Sequence, residues 1–258
     1  MINEVTKRML ENSGFERTFR GLRSDIARLA ARYRTSQALH GRKQRPDMVF
    51  VWIPKTAGTS VYEALQKSCG MTKLKTVQSS FSFPQRGPVT FGHMSYNDLI
   101  AIGAVQRDYS QKAYKFSFVR CPYERAVSLY NYLKRGTKVD SAKSFIEFLE
   151  DVHLKRPAIG LYNTSGLSQT NPQVDWLIGR DGEFLTDQIF KLDDIGQFSD
   201  EMNIRFGITL EIEKMNVSRK QITIHDIMHK KEILEKIEEI YSRDFDLLGY
   251  TKISRSRE

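Results

Sequence analysis

The run Met48–Ile53 (MVFVWI) is apolar at every position, and a strand with that pattern has no face to offer to water. Strands of this kind belong in the middle of a parallel sheet that is covered by helices on both sides. A polar turn containing glycine follows at once, Pro54–Ser60 (PKTAGTS), and then Val61–Lys67 (VYEALQK) with helical spacing. The order strand, loop, helix recurs further on. Tyr114–Val119 reads as a strand running into Arg120, and a helix should begin at Pro122 with Tyr123, Ala126, Val127, Tyr130 and Leu133 as its apolar stripe. Proline suits a first helical turn because its missing N–H has no intrahelical partner there. Val89–Met94 and Gln188–Leu192 are further strand candidates, and helices are expected at Ser144–Val152, around Asp193–Phe206 and at Lys231–Ser242. This alternation predicts an α/β fold in three layers, with a central, mainly parallel sheet flanked by helices and ligands at the strands' carboxyl ends.

The chain has 258 residues, enough for one large domain or two small ones at roughly 150 residues each. A hydrophobic fraction of 40% with 7 prolines excludes disorder as the main state. The formal net charge of +9 asks for an anionic partner without choosing among nucleic acid, phosphate, membrane and acidic sugar. Much of it lies in residues 1–47, which hold eleven Lys/Arg against five Asp/Glu. There Val5, Met9, Leu10, Phe15, Phe19, Leu22, Ile26, Leu29 and Ala30 recur at helical spacing, and a polar linker, His40–Asp47, follows. A basic helical extension over 1–47 is therefore expected before a main domain over 48–258. Its helices would dock on the core, bind an acidic partner or membrane surface, or mediate homo-oligomerisation. The N-terminus lacks a signal peptide's apolar core, and no run approaches the ~18 apolar residues of a membrane span. Cys69 and Cys121 form no C-x-x-C pair, so a reducing compartment, and hence a cytoplasmic protein, is expected.

The loop Ile53–Ser60 is P-loop-like in what it offers an anion: backbone N–H groups, a lysine, hydroxyls and a helix N-terminus. It is not a magnesium-binding Walker sequence, in which lysine follows the second glycine and precedes the hydroxyl; here Lys55 precedes Gly58 by three residues. An ordinary strand-to-helix turn with Thr59 or Ser60 as N-cap is the plain alternative. In the second junction Arg120 ends a strand and Ser128 lies two helical turns on, so both are placed to face one phosphate. Arg125 is either a third phosphate ligand or part of a structural ion pair.

IPKTAGTS resembles the 5′-phosphosulfate loop of the PAPS-dependent sulfotransferases, and FSFVRCPYERAVSLYNYL (Phe116–Leu133) resembles their 3′-phosphate motif, R-x-P-x-x-R-x-x-S-x-Y. The similarity is greatest to the carbohydrate branch that includes heparan sulfate 2-O-sulfotransferase, and it extends over roughly residues 48–250. It implies a P-loop-like fold and transfer of a sulfuryl group from PAPS to an acceptor hydroxyl, with adenosine 3′,5′-bisphosphate as product. Lys55 would neutralise the departing phosphate, with Thr56, Ala57, Gly58, Thr59 and Ser60 as donor contacts; Arg120 and Ser128 would hold the 3′-phosphate. Ser218 and Arg219 would approach the same nucleotide. His93, in a segment resembling the branch's G-H motif (FGHMSYNDL), is the expected base, with Glu63 and Asp98 as alternatives.

No metal is expected: lysine and the loop take the place of Mg²⁺, and His225 and His229, four apart, have no third ligand nearby in sequence. Acceptor contacts are expected from Tyr96, Tyr162 and Trp176 by stacking on sugar rings, and from Arg107 and Arg86 by pairing with acidic groups. A glycan hydroxyl is the leading acceptor. Lack of an anchor fits a soluble bacterial enzyme or a soluble piece of a Golgi-type one. Two rival classes remain: a nucleotide kinase or NTPase, and a nucleic-acid-binding protein using residues 1–47. No zinc-finger or RNP-type signature supports the latter.

Overall fold

Met48–Val51 (β1) is buried at all four positions, as an apolar run without a water-facing side demands. In the computed structural model, which describes residues 45–135, 143–155, 167–213 and 221–254, this strand is the centre of a five-stranded sheet. The helices expected over 3–36, together with Tyr162, Ser218 and Arg219, lie outside the described residues.

The other strands are Thr72–Lys73 (β2), Pro88–Thr90 (β3), Tyr114–Val119 (β4) and Gln188–Lys191 (β5), in the order β2-β3-β1-β4-β5 with every pairing parallel. Parallel neighbours require crossovers, and the described residues supply ten α-helices for them. Gly58–Cys69 (α1) follows β1; Val77–Phe81 (α2), Tyr96–Ala101 (α3) and Arg107–Lys112 (α4) lie around β3 in the chain; Pro122–Arg135 (α5) follows β4. Then come Phe145–Lys155 (α6), Val174–Leu177 (α7), Ile195–Phe206 (α8) after a 3₁₀ turn at Leu192–Asp194, Lys231–Ile240 (α9) and Ser242–Leu248 (α10).

The two-residue side-chain period of a strand sends β1 into two separate cores. Val49, Val51 and Ile53 pack with Leu99, Tyr109, Trp176 and Leu177 from α3, α4 and α7. Met48, Phe50 and Trp52 pack on the other face with Val61 and Leu65 of α1 and Phe198 and Met202 of α8. Aromatic pairs reinforce the register. Phe50 lies opposite Phe116 and stacks on it at 5.2 Å, and Phe118 lies opposite Phe190 and stacks at 5.5 Å. A third apolar cluster joins α5, α6, α9 and α10 through Leu133, Phe148, Val152, Leu234, Ile237 and Phe245. The expected stripe of α5 is buried at all five positions.

Two expected elements need correction. The strand expected over Val89–Met94 stops at Thr90, because Gly92 adopts φ 58° and turns the chain out of the sheet. The helix after β1 starts at Gly58 with Ala57 as its N-cap, not Thr59 or Ser60. Both cysteines are free thiols, Cys69 buried and Cys121 half-buried. Among the described residues no helix is long and apolar enough to cross a membrane.

Strand order also places the candidate site. The chain leaves β1 for β2 and β3 on one side, then passes to β4 on the other, so β1 is where the winding reverses. Loops at the carboxyl ends of β3 and β4 therefore flank the loop after β1, the position where open parallel sheets bind ligands.

Candidate active site

The loop after β1 is held in a rarely used backbone conformation. Lys55 and Ala57 have φ 69° and 61°, left-handed values that non-glycine residues seldom adopt and that tertiary contacts must sustain. Between them Thr56 is fully buried, and its hydroxyl donates to the Ile53 carbonyl at 3.0 Å. Ala57 offers no side-chain cap to α1, and the first turn holds no acidic residue. No side chain of the N-cap residue covers the opening turn of this 12-residue helix, and the positive end of the helix dipole points out of it, an arrangement that suits an anion. Gly58 is needed for a steric reason: a Cβ there would stand 1.9 Å from the Trp52 indole nitrogen.

A cavity of about 260 Å³ opens at this point, lined by Trp52, Pro54, Lys55, Ala57, Gly58, Thr59, Ser60, His93, Arg120, Ser128, Tyr132 and Gln169. Lys55 reaches it with Nζ 4.3 Å above the Tyr132 ring. Burial first, then the charges of Arg135 and Arg120, lower its pKa to about 8. Arg120 donates from Nε to Glu124, one turn along α5, at 2.9 Å. Its backbone N–H and carbonyl are both bonded to the Gln173 amide.

His93 arrives on the turn after β3. The Trp52 carbonyl, 2.9 Å from Nδ1, can only accept, so Nδ1 carries the proton and Nε2 is the ring's basic nitrogen. The ring packs edge-on against Trp52 at 5.3 Å, and the Trp176 indole donates to the His93 carbonyl at 3.2 Å. Burial, with the charges of Lys73, Lys55 and Arg125 adding to it against the Trp52 hydrogen bond, lowers the imidazole to about 4. It is neutral, and able to take a proton, at physiological pH.

Eight expected residues thus meet in one cavity: Lys55, Ala57, Gly58, Thr59, Ser60, His93, Arg120 and Ser128. Five others are placed elsewhere. The Thr56 hydroxyl is used inside its own loop. Tyr96 is only 2% exposed and bonds Ser110, and Trp176 is 1% exposed behind His93, so neither offers a ring to a sugar. Arg107 is exposed on α4 and does not line the cavity; neither does Arg86, which is also exposed. Of the alternative bases, Glu63 is exposed on α1 and Asp98 faces Arg180 at 3.8 Å, both outside the cavity lining. His225 and His229 are exposed on a turn.

Four lining residues escaped the sequence reading as contacts: Trp52, Pro54, Tyr132 and Gln169. Trp52 reads as core because it ends an apolar run, and Tyr132 lies one turn beyond Ser128, on the same helical side. Arg125 is a brace for the loop. It is 1% exposed, and Nε, Nη1 and Nη2 donate to the carbonyls of Pro54, Asn171 and Gln169 at 3.1, 2.9 and 3.0 Å.

The fold and the cavity together define a P-loop-like α/β protein built to take an anion. A family model described as "Sulfotransferase family" matches residues 42–251, and the chain belongs to that family. The expected enzyme class, a PAPS-dependent sulfotransferase, stands with it. Among solved structures the chain is similar to a sulfotransferase from Alicyclobacillus acidocaldarius, at 13% identity and TM-score 0.41 over 83% of this chain and 100% of that one. It is also similar to mouse sulfotransferase SULT7A1 complexed with PAP, at 16% identity and TM-score 0.44 over 86% and 90%. A search of curated proteins finds no match.

Proposed function

We propose that the enzyme moves the sulfuryl group of PAPS to a hydroxyl of an acceptor, a carbohydrate in the leading case, with His93 as general base. The observation that carries this reading is one cavity that gathers Lys55, His93, Arg120 and Ser128 at the uncapped N-terminus of α1. Such a donor set fits a ligand with two phosphate ends. The α1 amides, Lys55 and the hydroxyls of Thr59 and Ser60 suit the phosphosulfate, while Arg120 and Ser128 suit the 3′-phosphate.

PAPS supplies an activated sulfur–oxygen bond. The acceptor oxygen forms a bond to sulfur as the bond from sulfur to the phosphate oxygen breaks, and the phosphate keeps the electron pair. Lys55 and the helix N-terminus neutralise the charge that grows there, a preorganised arrangement that usually makes the largest contribution to catalysis. His93 takes the hydroxyl proton on Nε2, a contribution of roughly 10²- to 10⁴-fold. Tyr132, 40% exposed at the cavity, offers a ring on which a sugar can stack. With Lys55 in the role a divalent cation has in kinases, EDTA should leave turnover unchanged.

The test compares thermal unfolding with adenosine 3′,5′-bisphosphate, ADP and Mg-ATP, for the wild type and Arg120→Ala. At 100 times its dissociation constant a ligand stabilises by about 2.7 kcal/mol. The bisphosphate alone should raise Tm, and Arg120→Ala should abolish the rise. A shift with Mg-ATP only would sink the reading. If His93→Ala then kept full turnover on an acceptor that the wild type sulfates, the base assignment would fall.

A further inference from the structure

We propose that Gln173, oriented by the buried carboxylate of Asp244, is the positioning residue for Arg120 and thereby sets the enzyme's preference for a 3′-phosphate. The inference rests on the reading of Arg120 as the ligand of that phosphate.

Arg120 lies one residue past the end of β4, where sheet pairing no longer holds the backbone. Gln173 takes over that task. Its Oε1 accepts from the Arg120 N–H at 2.8 Å and its Nε2 donates to the Arg120 carbonyl at 2.9 Å, so one side-chain amide satisfies both backbone groups of the arginine, as a neighbouring strand would. Gln173 is completely buried.

A primary amide can sit in two orientations that differ only by exchange of O and N, and its environment decides between them. Asp244 makes the decision here. Its Oδ2 accepts from both the backbone N–H and Nε2 of Gln173, at 2.9 and 3.2 Å, and its Oδ1 accepts from the Val174 N–H at 3.1 Å. With the amide reversed, Oε1 would face the carboxylate and the Arg120 carbonyl together, three acceptors without a proton. Asp244 is itself completely buried, so water does not soften that penalty. The backbone of Arg120 is thus aimed from one side by Gln173 while its Nε is held from the other by Glu124 at 2.9 Å.

The test measures binding of adenosine 3′,5′-bisphosphate and of 5′-AMP, which lacks the 3′-phosphate, by calorimetry on the full chain. The variants are Arg120→Ala, Gln173→Met, Asp244→Asn and the double variant Arg120→Ala/Gln173→Met. Methionine keeps the length of glutamine and removes both bonds to Arg120; Asp244→Asn keeps the shape, removes the negative charge and sets an N–H₂ against the N–H of either Gln173 or Val174, so either variant carries the test if the other fails to fold. Gln173→Met and Asp244→Asn should each weaken the bisphosphate by about tenfold, the size of a lost charge-assisted contact, and leave 5′-AMP unchanged. The double variant should bind no more weakly than Arg120→Ala alone. Equal weakening of both nucleotides, multiplied effects in the double variant, or wild-type affinity in Gln173→Met and Asp244→Asn would overturn the proposal. Wild-type affinity in Arg120→Ala would instead overturn the reading of Arg120 on which it rests.

Discussion

The role proposed for Lys55 sets its burial against its charge. Burial and two neighbouring guanidinium groups bring it down to about 8, yet an ammonium that neutralises a leaving phosphate has to be charged. The charged form is present below that pKa and is lost as pH rises through it, so kcat/KM for PAPS should fall on the alkaline side with a midpoint near 8. Lys55→Arg, which stays protonated at any workable pH, should lose this alkaline limb whatever its rate. Lys55→Ala should lower kcat by about 10²- to 10³-fold, the range found for a single preorganised electrostatic contact. Gly58 makes a different demand. The indole of Trp52 occupies the space a methyl group would need, so Gly58→Ala should cost about 1–3 kcal/mol by overpacking, read from denaturant unfolding. A glycine in a phosphate loop suggests backbone approach to a ligand, and the tryptophan six residues earlier says nothing in sequence about leaning on it. Only the packing shows that Gly58 serves Trp52 too.

At the scale of elements, α5 is the part whose two ends of evidence agree best. Its start at Pro122, its stripe and its burial follow from local pattern, and it carries Arg120's partner Glu124, then Arg125, Ser128 and Tyr132. Arg125→Met should leave the carbonyls of Pro54, Gln169 and Asn171 without their buried donor. A loss of about 3 kcal/mol or more in chemical denaturation is expected, with weaker bisphosphate binding because the brace on the loop goes too. Other elements were harder to read. The helices α2, α3, α4 and α7 have 5, 6, 6 and 4 residues, at most about a turn and a half, too short for an apolar repeat to declare itself. Tyr96 and Trp176 were misplaced for this reason: aromatic residues in unassigned loops look available for stacking, whereas the short helices carry them into the core. β2 is two residues long and its place at the sheet edge is set by pairing with β3.

For the molecule as a whole, the same burial that keeps His93 neutral makes folding sensitive to acid. Its pKa is about 4 in the folded state against 6.5 for the ordinary side chain, so between those values the unfolded chain binds the extra proton. Stability is therefore complete above about pH 6.5 and falls as the pH drops toward 4, by about 3 kcal/mol from this residue alone. His93→Gln should flatten that part of the stability-against-pH profile measured by urea titration. The sequence by itself determined the α/β class, two strand-to-helix junctions and most of the residue types an anion site requires, because periodicity, capping and loop composition are local properties. Tertiary structure alone decided which of those residues meet. Placing β3 and β4 on either side of β1 brings His93 and Arg120 to Lys55. The tautomer of His93, the brace of Arg125 and the aim of Arg120 then depend on hydrogen bonds to partners 41 to 71 residues away. Contacts so distant leave no periodic trace in a chain, since their energies depend on where the backbone returns and not on what lies beside each residue.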